Sequence, residues 1–294
     1  MLAIGAATLV VAACSAGTAA TPPAPTDLMA AISASLATVK QMDARLTLAG
    51  TFTPSGADAT ASGAASPAAP VTLDGTAVEV KSDQATGAAD IVVTLPAGLG
   101  GGGTSELIAT GTDIYLKLGP VGTALGLADD GKYHHTTAAA LGGLGGLPMA
   151  SAEASADPSQ VAQAMSALQT FLGGLSEAPT TTAVSCGSAT CWDLHVVLTA
   201  GDLTRLAAQG ASALASAMPF GPLPTSAISS VGSVTLDVIA RQDTSRPAEI
   251  KAAVDGAAAG SASADLTFTF DTPLAITAPP AEQVVEGFPS LFGP

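Results

Sequence analysis

Positive charge is scarce in this chain: 9 Lys and Arg stand against 24 Asp and Glu over 294 residues, a formal net charge of −15. Nucleic-acid binding needs a basic footprint that displaces counterions from phosphates, and none exists here. The same acidity gives no electrostatic attraction to anionic headgroups. Aromatic residues make up 3% of a chain that is 48% hydrophobic, so any core is built mostly from Ala, Val, Leu and Ile. Histidine and cysteine occur three times each, too few and too scattered to complete a structural zinc site. No Gly-x-Ser-x-Gly, His-Glu-x-x-His or similar constellation is present. These absences argue against an enzyme and against a bound cofactor or metal.

The N-terminal segment also lacks charged side chains: no acidic residue precedes Asp27 and no basic residue precedes Lys40. The apolar run Met1 to Ala13 is too short for a hydrocarbon core that takes roughly 20 residues to span. It fits the apolar region of a signal peptide ending in small residues. Val11-Ala12-Ala13-Cys14 matches a bacterial lipobox, where small side chains admit the peptidase and a thiol accepts diacylglycerol. We therefore expect a signal peptide at 1–13 and acyl chains such as palmitate on Cys14. A Pro/Thr-rich tether at 14–26 and one domain at 27–294 follow, held on the outer face of the cell membrane. Covalent lipid supplies the attachment that charge does not, at about 0.8 kcal/mol per buried CH₂. The competing readings are an ordinary signal peptide and a buried N-terminal strand.

With Cys14 assigned, two cysteines remain. Cys186 and Cys191 flank the turn-prone Gly187-Ser188-Ala189-Thr190. A hairpin disulfide suits an exported protein; a redox pair would prefer two intervening residues, and no further Cys/His pair completes a zinc site.

Periodicity then sets the layout. Leu28, Ile32, Leu36 and Val39 space as a helix capped by Thr26 or Asp27. Alternation marks strands at 43–53, 76–81 and 89–95, and a hairpin over 106–118 turning at Thr110–Asp113. A short strand at 131–137 follows. Residues 54–70 form an Ala/Ser/Gly/Pro insert. Asp157-Pro158 opens a second helix, and Asp202 caps a third that stops at Pro219. Between these lies a hairpin over 180–199 with Trp192, Leu194, Val196 and Leu198 on one face. The chain finishes with strands near 231–241, 248–255 and 264–271. About ten antiparallel strands with three helices make an α+β domain.

Other motifs have bland readings. Gly98-x-Gly100-x-x-Gly103 lacks the helix and downstream acid of a dinucleotide fingerprint and reads as a flexible loop. His134 and His135 point to opposite faces of a strand, cannot easily share a metal, and read as solvated loop residues. His195 reads as a surface residue, and Asp90, Asp113, Asp193 and Asp237 as isolated acids at turn or outward positions. The uncharged loops 95–103 and 138–149 are expected at a cavity mouth or against the bilayer.

A sheet of this size has one apolar face that three modest helices must cover. The residues leave two outcomes open: a hydrophobic cavity suited to acyl chains, or a filled core. The expected lining is Leu46, Leu48, Val78, Val80, Ile91, Val93, Ile114, Leu116, Trp192, Leu194, Val196, Val234, Leu236 and Phe268.

From Cys14 to about Val285 the chain resembles actinobacterial lipoproteins of the LppX/LprA/LprF/LprG type, related in fold to the lipoprotein carrier LolA. The resemblance rests on the lipobox and tether, ATVKQMDARLTLAGTF, ELIATGTDIYLKLGP, VTLDVIARQDTSRPAEIKAAVDG, and Asp271-x-Pro273-x-x-Ile276-x-x-Pro279-Pro280-x-x-Gln283-Val284. The insert at 54–70, the glycine-rich loops and the Cys186/Cys191 pair depart from it. The resemblance implies a half-barrel of antiparallel strands wrapped over helices around a hydrophobic cavity. It also implies a monomer that binds an acylated lipid or glycolipid and carries it within the envelope, with a membrane transporter as a further partner. No catalytic residues come with it.

Overall fold

The computed structural model describes residues 20–52, 70–99, 101–124, 129–142, 170–210, 232–256 and 260–287. Cys14, nearly all of the 54–70 insert, the loop residues beyond 142 and the helix start at Asp157-Pro158 lie outside them.

Twelve residues, Pro25–Leu36, form α1. The helix starts two residues before the expected cap: Ala24 is the N-cap with no side-chain bond, and Pro25 stands in the first turn. A ring-fixed φ substitutes there for a capping oxygen, while Asp27 lies in the first turn, where the helix dipole favours an acid. Leu28 and Ile32 are buried, and Val39, beyond the helix end, is buried too.

The strands are β1 (Gln41–Phe52), β2 (Val71–Thr72), β3 (Thr76–Asp83), β4 (Ala88–Leu95), β5 (Gly103–Thr110), β6 (Asp113–Lys117) and β7 (Tyr133–Thr137). They continue with β8 (Thr180–Cys186), β9 (Ala189–Thr199), β10 (Ser233–Arg241), β11 (Pro247–Gly256), β12 (Gly260–Phe270) and β13 (Val284–Glu286). Thirteen strands replace the expected ten or so, largely because short β2 and β13 carry no readable alternation. Short helices α2 (Gly119–Ala124) and α3 (Ala138–Gly142) flank β7, and α4 (Ala200–Gly210) follows β9. Residues 170–173 are also helical.

The strands join one open, curved sheet in the order β13-β7-β6-β5-β4-β3-β1-β12-β11-β10-β9-β8, with β2 beside β1. Two meanders, β3 to β7 and β8 to β12, are joined by β1. It pairs with β3 on one side and, over eleven residues from Met42↔Phe270 to Phe52↔Gly260, with β12 on the other. Every neighbouring pair along this path is antiparallel except β13 with β7. The Gly-x-Gly-x-x-Gly run leads into strand β5 and not a helix, as its bland reading required.

The β8–β9 hairpin turns at Gly187-Ser188, with Cys186 opposite Ala189. Gly187 has φ +66°, which a type II′ turn demands at its first position. A Cys186–Cys191 disulfide closes the hairpin, Cα–Cα 5.8 Å. Asp202 is not the cap of α4. Thr199 caps it, its Oγ accepting from Asp202 N at 3.3 Å, while Asp202 Oδ2 accepts from Thr199 N at 3.0 Å, a reciprocal capping box. Asp202, fully buried, also accepts from Ser176 N and Oγ and pairs with Arg205. The Thr199 hydroxyl above all, with these other donors, holds the Asp202 carboxyl well below the usual range.

Candidate functional site

The register sorts the side chains into two unlike faces, because successive strand residues point opposite ways. One row runs Leu194, Val238, Ile250, Leu266, Leu46, Val78, Val93 across β9, β10, β11, β12, β1, β3 and β4. The next runs Phe268, Ala44, Val80, Ile91, Leu107, Leu116 and His134 from β12 to β7. Leu48, Ile114, Trp192, Val196, Val234 and Leu236 share their parity. All fourteen residues expected to line a cavity therefore sit on one face. Among the described residues, no Asp, Glu, Lys or Arg in a strand shares that face; its polar members include Thr76, Ser82, Ser105, His134 and Thr136.

Among the described residues, cover over this face is uneven. Leu28 and Ile32 of α1, with Leu172, pack against Trp192, Leu194, Val196, Val238 and Ala240. Leu194 is 1% exposed there and Trp192 8%. Toward the other meander Leu46, Leu48, Val78, Val80, Ile91, Val93 and Leu116 are only partly buried, although Ile114 is buried. Phe268 stacks on Phe270 at 5.7 Å, and the Arg246 guanidinium lies over the Phe270 ring.

The opposite face carries the charge. Arg45 faces Glu79 across β1 and β3, and Lys251 faces Asp237 and Asp265 across β10 to β12. His195 Nδ1 lies 2.6 Å from Asp237 Oδ1, on the outward face as expected. The acids are not isolated, however. Asp90, Asp193 and Asp265 each have a buried carboxyl oxygen without a partner. Burial pushes all three carboxyls up, assisted by Glu106, Asp237 and Glu249 respectively. Cross-strand pairing between distant segments creates these neighbours, so local sequence could not show them.

The histidine expectation also needs correction. His134 and His135 do point to opposite faces, but they lie in β7 and not in a solvated loop, and His134 is 7% exposed. Both contact β13 or the residue after it. Tyr133 beside them donates its hydroxyl to Glu106 at 2.6 Å. Among the described residues no group of three or more His, Cys, Asp or Glu could hold a metal ion. Among them, too, no helix is long and apolar enough to cross a membrane. The arrangement offers a broad apolar surface for contact.

No family model matches the chain, and no curated protein matches it. Solved structures that it resembles include the Mycobacterium tuberculosis lipoprotein LppX, 13% identical over 86% of this chain and 98% of that one, TM-score 0.38. Another is the Pseudomonas aeruginosa MucA/MucB complex, 11% identical, covering 88% of this chain and 59% of that one, TM-score 0.29. A third is a DUF1329 family protein from Desulfovibrio piger, 9% identical, covering 87% and 96%, TM-score 0.26.

Proposed function

We propose that this chain is a membrane-anchored lipoprotein that holds the acyl part of a lipid or glycolipid against the charge-free face of its sheet. In this reading it carries that lipid within the cell envelope without catalysis. One observation supports the proposal: a single apolar face runs across the whole sheet, yet among the described residues helices cover it at β9–β10, through α1 and Leu172, and beside β5, through α2, while Leu46, Leu48, Val78, Val80 and Val93 between them are only partly buried. Partly buried Leu, Val and Ile gain about 25 cal/mol per Å² when an apolar ligand covers them, and acyl chains supply such area without needing polar partners. The few hydroxyls and the imidazole on that face suit orientation of a headgroup more than binding of a charged ligand.

Anchoring rests on the sequence: with 1–13 removed and lipid on Cys14, a tether as far as α1 would hold the domain at the outer face of the cell membrane. A transporter that loads or receives the lipid is the expected protein partner, with the carrier acting as a monomer.

Native mass spectrometry of protein purified from a lipid-containing host tests the reading, with intact mass reporting acylation of Cys14. The expected result is a co-purified lipid, lost at least about tenfold in Leu46→Glu while the circular dichroism of the sheet persists, since a carboxylate on this face costs more than one power of ten in binding. Protein that carries no lipid, and gains none from added vesicles, is instead a structural surface lipoprotein with a filled core.

A further inference from the structure

The adjacent histidines grip the end of the described chain. β13 is three residues long and lies parallel to β7, Val284 opposite Tyr133, Val285 opposite His134 and Glu286 opposite His135. Gly287 N donates to His135 O at 3.0 Å. The stretch leading to it leaves β12 at the middle of the sheet, where Asp271 accepts from Lys40 N and pairs with Arg246. It ends beyond β7 at the sheet edge. Pro273, Pro279 and Pro280 lack amide donors, and among the described residues no backbone hydrogen bond ties 272–282 to a strand. Among the described residues, hydrogen bonds hold it at its two ends, at Asp271 and at β13 with Gly287.

Both histidines reach β13 or its continuation, one from each face of β7. His134 has Nδ1 3.3 Å from Gly287 O and Nε2 3.3 Å from Asp130 Oδ1. His135 has Nδ1 2.8 Å from Glu286 Oε2 and Nε2 3.1 Å from Asp113 Oδ1, with its ring stacked on Tyr115 at 4.9 Å. The groups facing His135 are thus Asp113 and Tyr115 from β6 and Glu286 from β13. Those around His134 are Asp130 from the preceding loop and uncharged Leu116 and Val285 on the adjoining strands. A carbonyl and ionised carboxylates only accept. A neutral imidazole has one N–H and can satisfy one of its two partners; an imidazolium satisfies both.

We propose that His135 forms a proton-dependent clasp on β13, closed when its ring is charged and bonded to both Glu286 and Asp113 and loosened when it is neutral, with His134 a contact from the other face of β7. Glu286 first, then Asp113, raise the His135 pKa above its ordinary value. Its contribution is therefore fully present below about pH 6.5 and is lost as pH rises through the raised value. Loosening frees the outer edge of β7 and releases one end of 272–282. The device acts on the sheet edge and does not depend on the lipid-binding proposal.

Hydrogen exchange of the full chain at about pH 5.5 and about pH 8.5, corrected for intrinsic rates, reads the clasp directly. Protection of the peptide 271–287 is expected to fall about tenfold at the higher pH, the scale of one lost charge-assisted hydrogen bond, while 189–199 in β9 stays constant. His135→Gln abolishes the step and His134→Gln leaves it in place; Glu286→Gln reduces it without touching either ring. Constant protection in β9 shows that the variants fold. Equal corrected protection of 271–287 at both pH values in the unmodified chain, or a step that survives in His135→Gln, overturns the proposal.

Discussion

Leu194→Ala and Leu46→Ala make the same chemical change in one row of one sheet face, and the structure assigns them different costs. Each removes three carbons. Leu194 is 1% exposed, closed in by Leu28, Ile32 and Leu172. At about 0.8 kcal/mol per buried carbon the transfer loss is roughly 2.4 kcal/mol. A cavity sealed on all sides adds about 1 kcal/mol more, for a total near 3–4 kcal/mol. Leu46 is only partly buried, between Leu266 and Val78. Around half the transfer loss and no sealed cavity give about 1–1.5 kcal/mol. Urea unfolding followed by the single Trp192, itself in the Leu194 cluster, measures both, provided the m-value is unchanged. A Leu46→Ala cost equal to that of Leu194→Ala would mean that the face at β1 is packed as tightly as at β9. It would refute the uneven cover on which the lipid proposal stands.

Acid should act through Asp202. Its folded pKa is depressed, so its stabilisation is present above the unfolded value of about 3.9 and is lost as pH falls below it. The Tm gap between the unmodified chain and Asp202→Asn is expected to be widest near neutrality and to begin narrowing as pH falls below about 3.9; a gap as wide at about pH 2.5 as at neutrality contradicts the assignment. Gly50→Ala tests the centre of the sheet. Gly50 has φ +112°, and an added Cβ would lie 2.8 Å from Ala262 Cα and nearer still to the Ser261 carbonyl. Backbone strain and overlap together are expected to cost roughly 2–4 kcal/mol, read as a lower urea midpoint.

Where one face of an element is buried, its period was legible. β1, β9 and β12 alternate because a one-residue slip would turn Leu46, Leu194 or Leu266 outward. β7 and β13 were harder, since Tyr133–Thr137 presents polar groups on both sides and Val284–Glu286 is too short to show a period. The helix starts were displaced for a definite reason. Side-chain oxygens at Asp27 and Asp202 look like caps, but Pro25 sets one start through its ring, and Thr199 shares the other with Asp202 three residues on. Which side chains share a face was readable residue by residue, since parity along each strand fixes it. The electrostatic neighbours were not: His135 meets Asp113 and Glu286, 22 and 151 residues away, only once β6, β7 and β13 are laid side by side.

The joint between β1 and β12 also bears on how the molecule is made. Each meander is assembled from strands that follow one another along the chain, so each can form by local hairpin closure. The seam between them pairs residues 42–52 with 260–270. During synthesis β1 lacks its long partner until nearly the whole chain has left the ribosome, and contacts so distant in sequence form slowly. Until then two half-sheets with open inner edges must be kept from pairing with other chains. The last-made long strand therefore governs when the molecule becomes one sheet, and a truncation before Gly260 should leave two separate halves and no smaller version of the whole.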